Sequence, residues 1–260
     1  METPRQSVDA AWGILKYGLE DRSYDRRAKA AHALALMQNN ARAEEMADKA
    51  LADPNPDVRA SAATALGQMN AKNSIPKLHN ALNDTVLKVV IAASNSLYIY
   101  KDPAAYEIYY ALLTGERKQP GLVKSQMDTL KDKKQMEKLA FETGIGFIPF
   151  GGMGYEAYKT ITHDDSSVVR AAAAEKLATD PDSKTTEALA KACSDKQWRV
   201  RVAVVEAIAK RGDQQLLFSL TPLLYDNTDD VRFETAAAVI RLSTAASKLA
   251  PKHAARRKRT

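Results

Sequence analysis

A chain of 260 residues, 45% hydrophobic and 27% charged, can bury one substantial core, and no run approaches the roughly 18 apolar residues that a membrane span needs. A single cysteine, Cys193, excludes an internal disulfide and a multi-cysteine zinc site and reads as a buried small hydrophobe. The net charge is +6, but the last ten residues, PKHAARRKRT, supply +5 of it, so the remainder carries +1 and is not a basic body.

The opening METPRQSVDAAWGILKYGLEDR carries acids and lacks the basic-then-apolar order of an export signal, so a cytoplasmic location is expected for the chain as written. A pattern then begins in LEDRSYDRRAKAAHAL: Asp21, Arg27 six residues later, and Leu34 seven beyond that. It returns in ADPNPDVRASAATAL with Asp53, Arg59 and Leu66, and in NDTVLKVVIAASNSL with Asp84 and Leu97, where Val90 fills the arginine slot. It returns again with Asp164 and Arg170, Asp195 and Arg201, and Asp226 and Arg232. The slots at 27, 59, 90, 170, 201 and 232 lie 32, 31, 80, 31 and 31 apart, a period that suits a helix pair. Apolar residues three, four and seven beyond a slot, such as Ala62, Ala63 and Leu66, share one helical face. A second helix is expected after a short turn. In the second copy it is SIPKLHNAL, with Ser74 as a candidate cap before Pro76; near the end it is QQLLFSLTPLLYD. Pro54 and Pro56 follow Asp53, where the preceding helix must stop.

The third copy runs into LYIYKDPAAYEIYY, which holds Tyr98, Tyr100, Tyr106, Tyr109 and Tyr110, half of all ten tyrosines. Packing against the next repeat is expected there, with a binding patch as the alternative. The 80-residue gap between slots 90 and 170 then holds an enlarged repeat. Its LVKSQMDTLKDKKQMEKLAFE reads as one long polar helix and leads into GIGFIPFGGMGYEAY, residues 144–158. Pro149 stands where a dinucleotide fingerprint needs its third glycine, the preceding element is not a strand, and no lysine completes a phosphate loop. The stretch also lacks the basic flanks and apolar area of a membrane wedge. It reads as a buried connector or as a docking element, with Phe147, Ile148, Phe150, Met153 and Tyr155 as candidate partner contacts beside Tyr98 and Tyr109.

The Asp-x5-Arg spacing, the valine before the arginine and the alanine-rich first helix resemble HEAT repeats, in particular the short bacterial form named for phycobilisome lyases. The resemblance implies an all-α, right-handed solenoid of about six to seven helix pairs. The repeats would lie near 20–51, 52–83, 84–116, an enlarged 117–163, 164–193, 194–224 and 225–247, forming one domain over 1–247 with a basic tail at 248–260. It also implies that Asp21, Arg27, Asp53, Arg59, Asp84, Asp164, Arg170, Asp195, Arg201, Asp226 and Arg232 form a structural ladder between neighbours. An arginine fork can reach the next Asp and a backbone carbonyl, and Val90 breaks the ladder once, so a differently packed joint is expected there.

Little in the chain points to catalysis. His32, His79, His163 and His253 lie far apart with no metal-binding spacing, and no nucleophile motif occurs, so no catalytic, metal or cofactor residue is assigned. Positions five and nine beyond each slot should line the inner surface. They run His32, Thr64, Asn95, Glu175 and Glu206, then Gln68, Thr179, Lys210 and Arg241, which is too acidic in its second half for a duplex groove. The expected function is therefore a non-enzymatic scaffold for a protein or peptide. The alternatives are nucleic-acid or anionic-surface binding through Arg256, Arg257, Lys258 and Arg259, and a lyase-like subunit with a pocket near Tyr98, Tyr109 and Phe150.

Overall fold

Alanine-rich amphipathic segments closed by prolines, asparagines and glycines leave helix as the only regular element among the described residues. The computed structural model describes residues 4–114, 167–180 and 182–249. Among the described residues twelve α-helices are formed: α1 (Pro4–Leu19), α2 (Tyr24–Ala33), α3 (Ala41–Ala50), α4 (Pro56–Gln68), α5 (Ile75–Ala81), α6 (Leu87–Ile99), α7 (Pro103–Thr114), α8 (Ser167–Leu177), α9 (Ser183–Ala192), α10 (Trp198–Arg211), α11 (Leu217–Leu220) and α12 (Asp229–Leu249). The enlarged repeat at 117–163, Asp164, the glycine-rich stretch and residues 250–260 of the tail lie outside the described residues, and the first two residues of the expected tail belong to α12.

The helix ends follow local chemistry. Asn40, Asn55 and Asp182 cap α3, α4 and α9, each accepting from a backbone N–H of the first turn. Left-handed residues occur at equivalent places after the first helix of four copies: Asn39, Asn70, Lys101 and Gly212, with φ of 55°, 60°, 58° and 73°. Two expectations need correction. Ser74 is not a side-chain cap. A 3-10 turn, Lys72–Ser74, feeds directly into α5, so Ser74 is already helical and its hydroxyl instead donates to Glu44 at 3.0 Å. QQLLFSLTPLLYD is not one helix. Pro222 has no N–H to donate, and the segment splits into a 3-10 turn (Gln214–Leu216), the single turn α11 and a second 3-10 run (Thr221–Tyr225).

The first helices of the copies form one layer, α4 against α2 and α6, and α10 against α8 and α12. The second helices mostly sit behind this layer without comparable packing on one another, as expected when the first layer is the inside of a curve. The order of the stack is not the order of the chain. The last helix, α12, packs on α2, so the first layer runs α8, α10, α12, α2, α4, α6. The first helix, α1, lies across α12 and α2. It stands where the second helix of the final pair belongs. The two ends of the described chain thus build one repeat together, in the middle of the stack.

Small side chains make this joint close. A Cβ on Gly18 of α1 would come within 2.4 Å of the Phe233 ring and 2.8 Å of the Ala30 Cβ. A single core continues through it, from Ala11 and Leu15 through Leu34 and Val231 to Ile240. At roughly 25 cal/mol per Å², burial of this apolar surface is the main stabilising term.

The turns between copies share one polar device. Asp21, Asp53, Asp84, Asp195 and Asp226 each accept from the N–H two residues on, at 2.8–2.9 Å. The arginine fork of one copy then grips the Asp of the next: Arg27 to Asp53, Arg59 to Asp84, Arg170 to Asp195 and Arg201 to Asp226, at 2.7–3.1 Å through two nitrogens. Arg27, Arg59 and Arg201 also donate to the carbonyl of their own copy's Asp, at 2.8–3.0 Å. These contacts hold the carboxyls of Asp53 and Asp195 below the usual range, through the arginine hydrogen bond first. Burial pushes Asp226 upward, and its bonds from Arg201 and Thr228 outweigh it.

The joint departs from this pattern. Arg232 donates to the Asp226 carbonyl at 2.5 Å and pairs with Asp229 of its own helix, not with Asp21. Arg26 bridges the ends, with Nη1 2.7 Å from Asp21 and Nε 3.1 Å from Asp229. Lys29 reaches Asp230 at 3.1 Å, and Arg241 donates to the Leu36 carbonyl at 2.8 Å. At Val90 the ladder ends: the side chain is buried, and the contact beyond it lies outside the described residues.

Candidate functional site

The aromatic run at the end of α6 and along α7 forms an exposed cluster. Tyr98 stacks edge-on with Tyr106 and Tyr109, at centroid distances of 5.6 and 5.9 Å. Tyr98 is 52%, Ile99 54%, Tyr106 41% and Tyr110 61% exposed. Their spacing explains the clustering: Tyr106 and Tyr110 are one turn apart on α7, and Tyr98 closes against Tyr106 and Tyr109 across the turn at Lys101. Two further tyrosines anchor the platform. The Tyr109 hydroxyl lies 2.6 Å from Asn95 Oδ1, and the Tyr100 hydroxyl donates to the Leu66 carbonyl at 2.5 Å. Burial raises both phenols, Tyr100 to about 12, so these two are neutral at ordinary pH. Rigid rings with wet hydroxyls and little rotamer entropy suit recognition of another surface. Of the other candidate contacts, Phe147, Ile148, Phe150, Met153 and Tyr155 lie outside the described residues, as do Arg256, Arg257, Lys258 and Arg259. The pocket expected near Tyr98, Tyr109 and Phe150 thus lies partly outside the described residues.

The positions expected to line the inner surface divide. Gln68, Glu175, Thr179 and Lys210 are exposed, whereas His32, Thr64, Asn95, Glu206 and Arg241 are half-buried. Sequence reasoning missed Glu234, two residues beyond its slot and buried in the first layer. Burial, then the charge of Glu206, pushes its carboxyl well up, and burial with Glu175 pushes Glu206 to about 7. The signal was present as an acid at a position where the first, second and third copies place Lys29, Ser61 and Ala92. Burial pushes the His32 imidazole down, so it is neutral.

Two further side chains that could carry chemistry are tied up in the fold. Burial raises the Cys193 thiol to about 11, which makes it a poor nucleophile. His79 Nε2 sits 2.9 Å from an Asp102 carboxylate oxygen on the next turn, a joint contact that lacks a nucleophile. Among the described residues, no group of three or more His, Cys, Asp or Glu side chains is arranged to hold a metal ion. Also among them, no helix is long and apolar enough to cross a membrane. An open groove of about 380 Å³ lies between α1 and α3, floored by Leu19 and Met46 and rimmed by Lys16, Arg42 and Lys49 among both signs of charge. Arg42 lies 4.0 Å over the Trp12 ring beside it.

Comparison with known proteins adds a pattern match. The family pattern for HEAT repeats matches residues 13–94, 43–120 and 157–241, well over half of the chain. Comparison with curated proteins gives no match. Among solved structures, human deoxyhypusine hydroxylase in complex with glycerol is 18% identical, with 94% of this chain and 92% of that one covered at a TM-score of 0.31. Two engineered proteins are each 17% identical. One covers 91% of this chain and 97% of its own at a TM-score of 0.29, the other 94% and 100% at 0.27. Similarity at that level carries no argument about what the chain binds or does.

Proposed function

Because the chain belongs to the HEAT-repeat family, we propose that it is a non-enzymatic scaffold that binds a protein or peptide partner. The observation that carries this reading is the tyrosine cluster of α6 and α7, an exposed aromatic platform braced by Tyr100 and Tyr109. Repeat proteins bind through large preformed surfaces on which a few aromatic side chains supply most of the energy. The platform is one part of such a surface. The inner layer is a second, and residues 144–158 contribute a third on the strength of their sequence alone.

The test is affinity capture from the source extract with the intact protein, with and without nuclease, compared with Tyr98→Ser/Tyr110→Ser. A defined protein that survives nuclease and is lost, or weakened at least tenfold, with the double variant supports the proposal. Capture that survives both substitutions but fails on deletion of 144–154 moves the contact to the glycine-rich stretch. Capture that vanishes with nuclease and with removal of residues 248–260 makes the protein a nucleic-acid binder acting through its basic tail, and the scaffold reading falls.

A further inference from the structure

Every neighbouring pair of repeats within 20–114 and within 167–249 is linked by a short turn, except the pair at the joint. There α12 meets α1 and α2 with more than two hundred residues of sequence between the contacting groups. No turn crosses that seam; the halves are connected only through residues 115–166. The seam also carries ion pairs of its own in place of the arginine–aspartate rung. Val58, Val89, Val200 and Val231, before four of the slots, are buried and Val169 is exposed, but the first copy has Arg26 at this position, and it faces Asp229. Lys29 faces Asp230 beside it. Complementary charge on the two sides gives the seam a specific register, and its apolar part, Gly18 under Phe233, gives close fit.

We propose that this seam is an exchangeable interface whose alternative partner is a second copy of the chain. The α1–α7 half of one molecule would dock on the α8–α12 half of another, and reciprocally. Every contact described across the seam would be kept. The two forms differ only in connectivity, so closure within one chain dominates when the protein is dilute and exchange grows with concentration or on refolding. The reciprocal dimer would carry two tyrosine platforms on one particle.

Two charge-reversed full-length chains test this. Arg26→Asp/Lys29→Asp sets acids against Asp229 and Asp230, and Asp229→Lys/Asp230→Lys sets bases against Arg26 and Lys29. Each is disfavoured as a closed monomer. In a mixed reciprocal dimer one seam has both reversals and the other is wild type, so opposite charges face each other across both. Unfolding and refolding the two together should give a 1:1 heterodimer by light scattering, at least tenfold more abundant than the dimer from either alone. The chain carrying all four substitutions should return to a monomer. A mixture that is only the sum of its parts overturns the proposal. If neither variant folds, alone or mixed, wild-type chains carrying two different tags decide. After joint refolding at high concentration, mixed-tag dimers support exchange and their absence overturns it.

Discussion

The arginine–aspartate contacts look alike in the sequence but differ in burial, and burial decides what each is worth. Arg201 and Asp226 keep only 14% and 8% of their side-chain surface, whereas Arg170 keeps 42%. Removing a buried partner strands the other charge, but an exposed pair exchanges its partner for water. Asp226→Ala should therefore cost about 3 kcal/mol in urea denaturation. Arg170→Ala should cost less than about 1 kcal/mol. Equal costs would show that the ladder does not depend on desolvation. The acids of the inner layer act in the opposite direction. Glu206 is raised from 4.5 to about 7, so its contribution is fully present below pH 4.5 and is lost as pH rises towards 7. Asp53, Asp195 and Asp226 are depressed below 3.8, so theirs is present above 3.8 and is lost as pH falls through the lower folded value. Stability should fall from pH 5 to pH 8, by at most about 1.4 kcal/mol per pH unit for each proton released. Glu206→Gln should flatten that slope and raise stability at pH 8 by about 2 kcal/mol, allowing for its partial exposure. An unchanged slope would place the titration elsewhere.

At the level of helices, the seam between α4 and α6 is set by a missing side chain. A Cβ on Gly67 would lie 2.4 Å from the Ser96 hydroxyl oxygen and 2.8 Å from the Ser96 Cα. Close approach also lets Ser96 donate to the Ala63 carbonyl at 2.7 Å, inside α4's own ladder. Gly67→Ala must push α6 away and should cost about 2–3 kcal/mol by thermal or urea unfolding. A neutral result would mean that the helices can separate without loss. The helix pairs themselves were legible because period and patterning agree: slots 31 or 32 apart and apolar residues at three, four and seven beyond each. The misread elements have local causes. Ser74 has the residue type of a cap, but its cap status depends on the turn before it. Pro222 is visible, yet the breaking of one helix into three short turns depends on Leu220, Leu223 and Leu224 all being drawn into the core.

The arrangement of the whole molecule was the least legible. A periodic sequence predicts that each repeat contacts its neighbours in the chain, and nothing in the period says that the last can also be a neighbour of the first. The signal that existed was Arg26 at a valine position together with Asp229 and Asp230, two acids ahead of the final slot. It takes a structure to see that these answer one another. The tyrosine cluster was legible as a composition anomaly, but its exposure was not, since helical spacing fits a buried face equally well. The shared repeat at the seam also imposes an order of events. During synthesis α1 emerges more than two hundred residues before its partner α12, so its apolar face waits for all of the intervening chain before that partner can cover it. Contacts so distant in sequence form slowly and late. Closing the seam is thus the step that commits the two halves to one closed chain, or to sharing their faces with another molecule being made nearby.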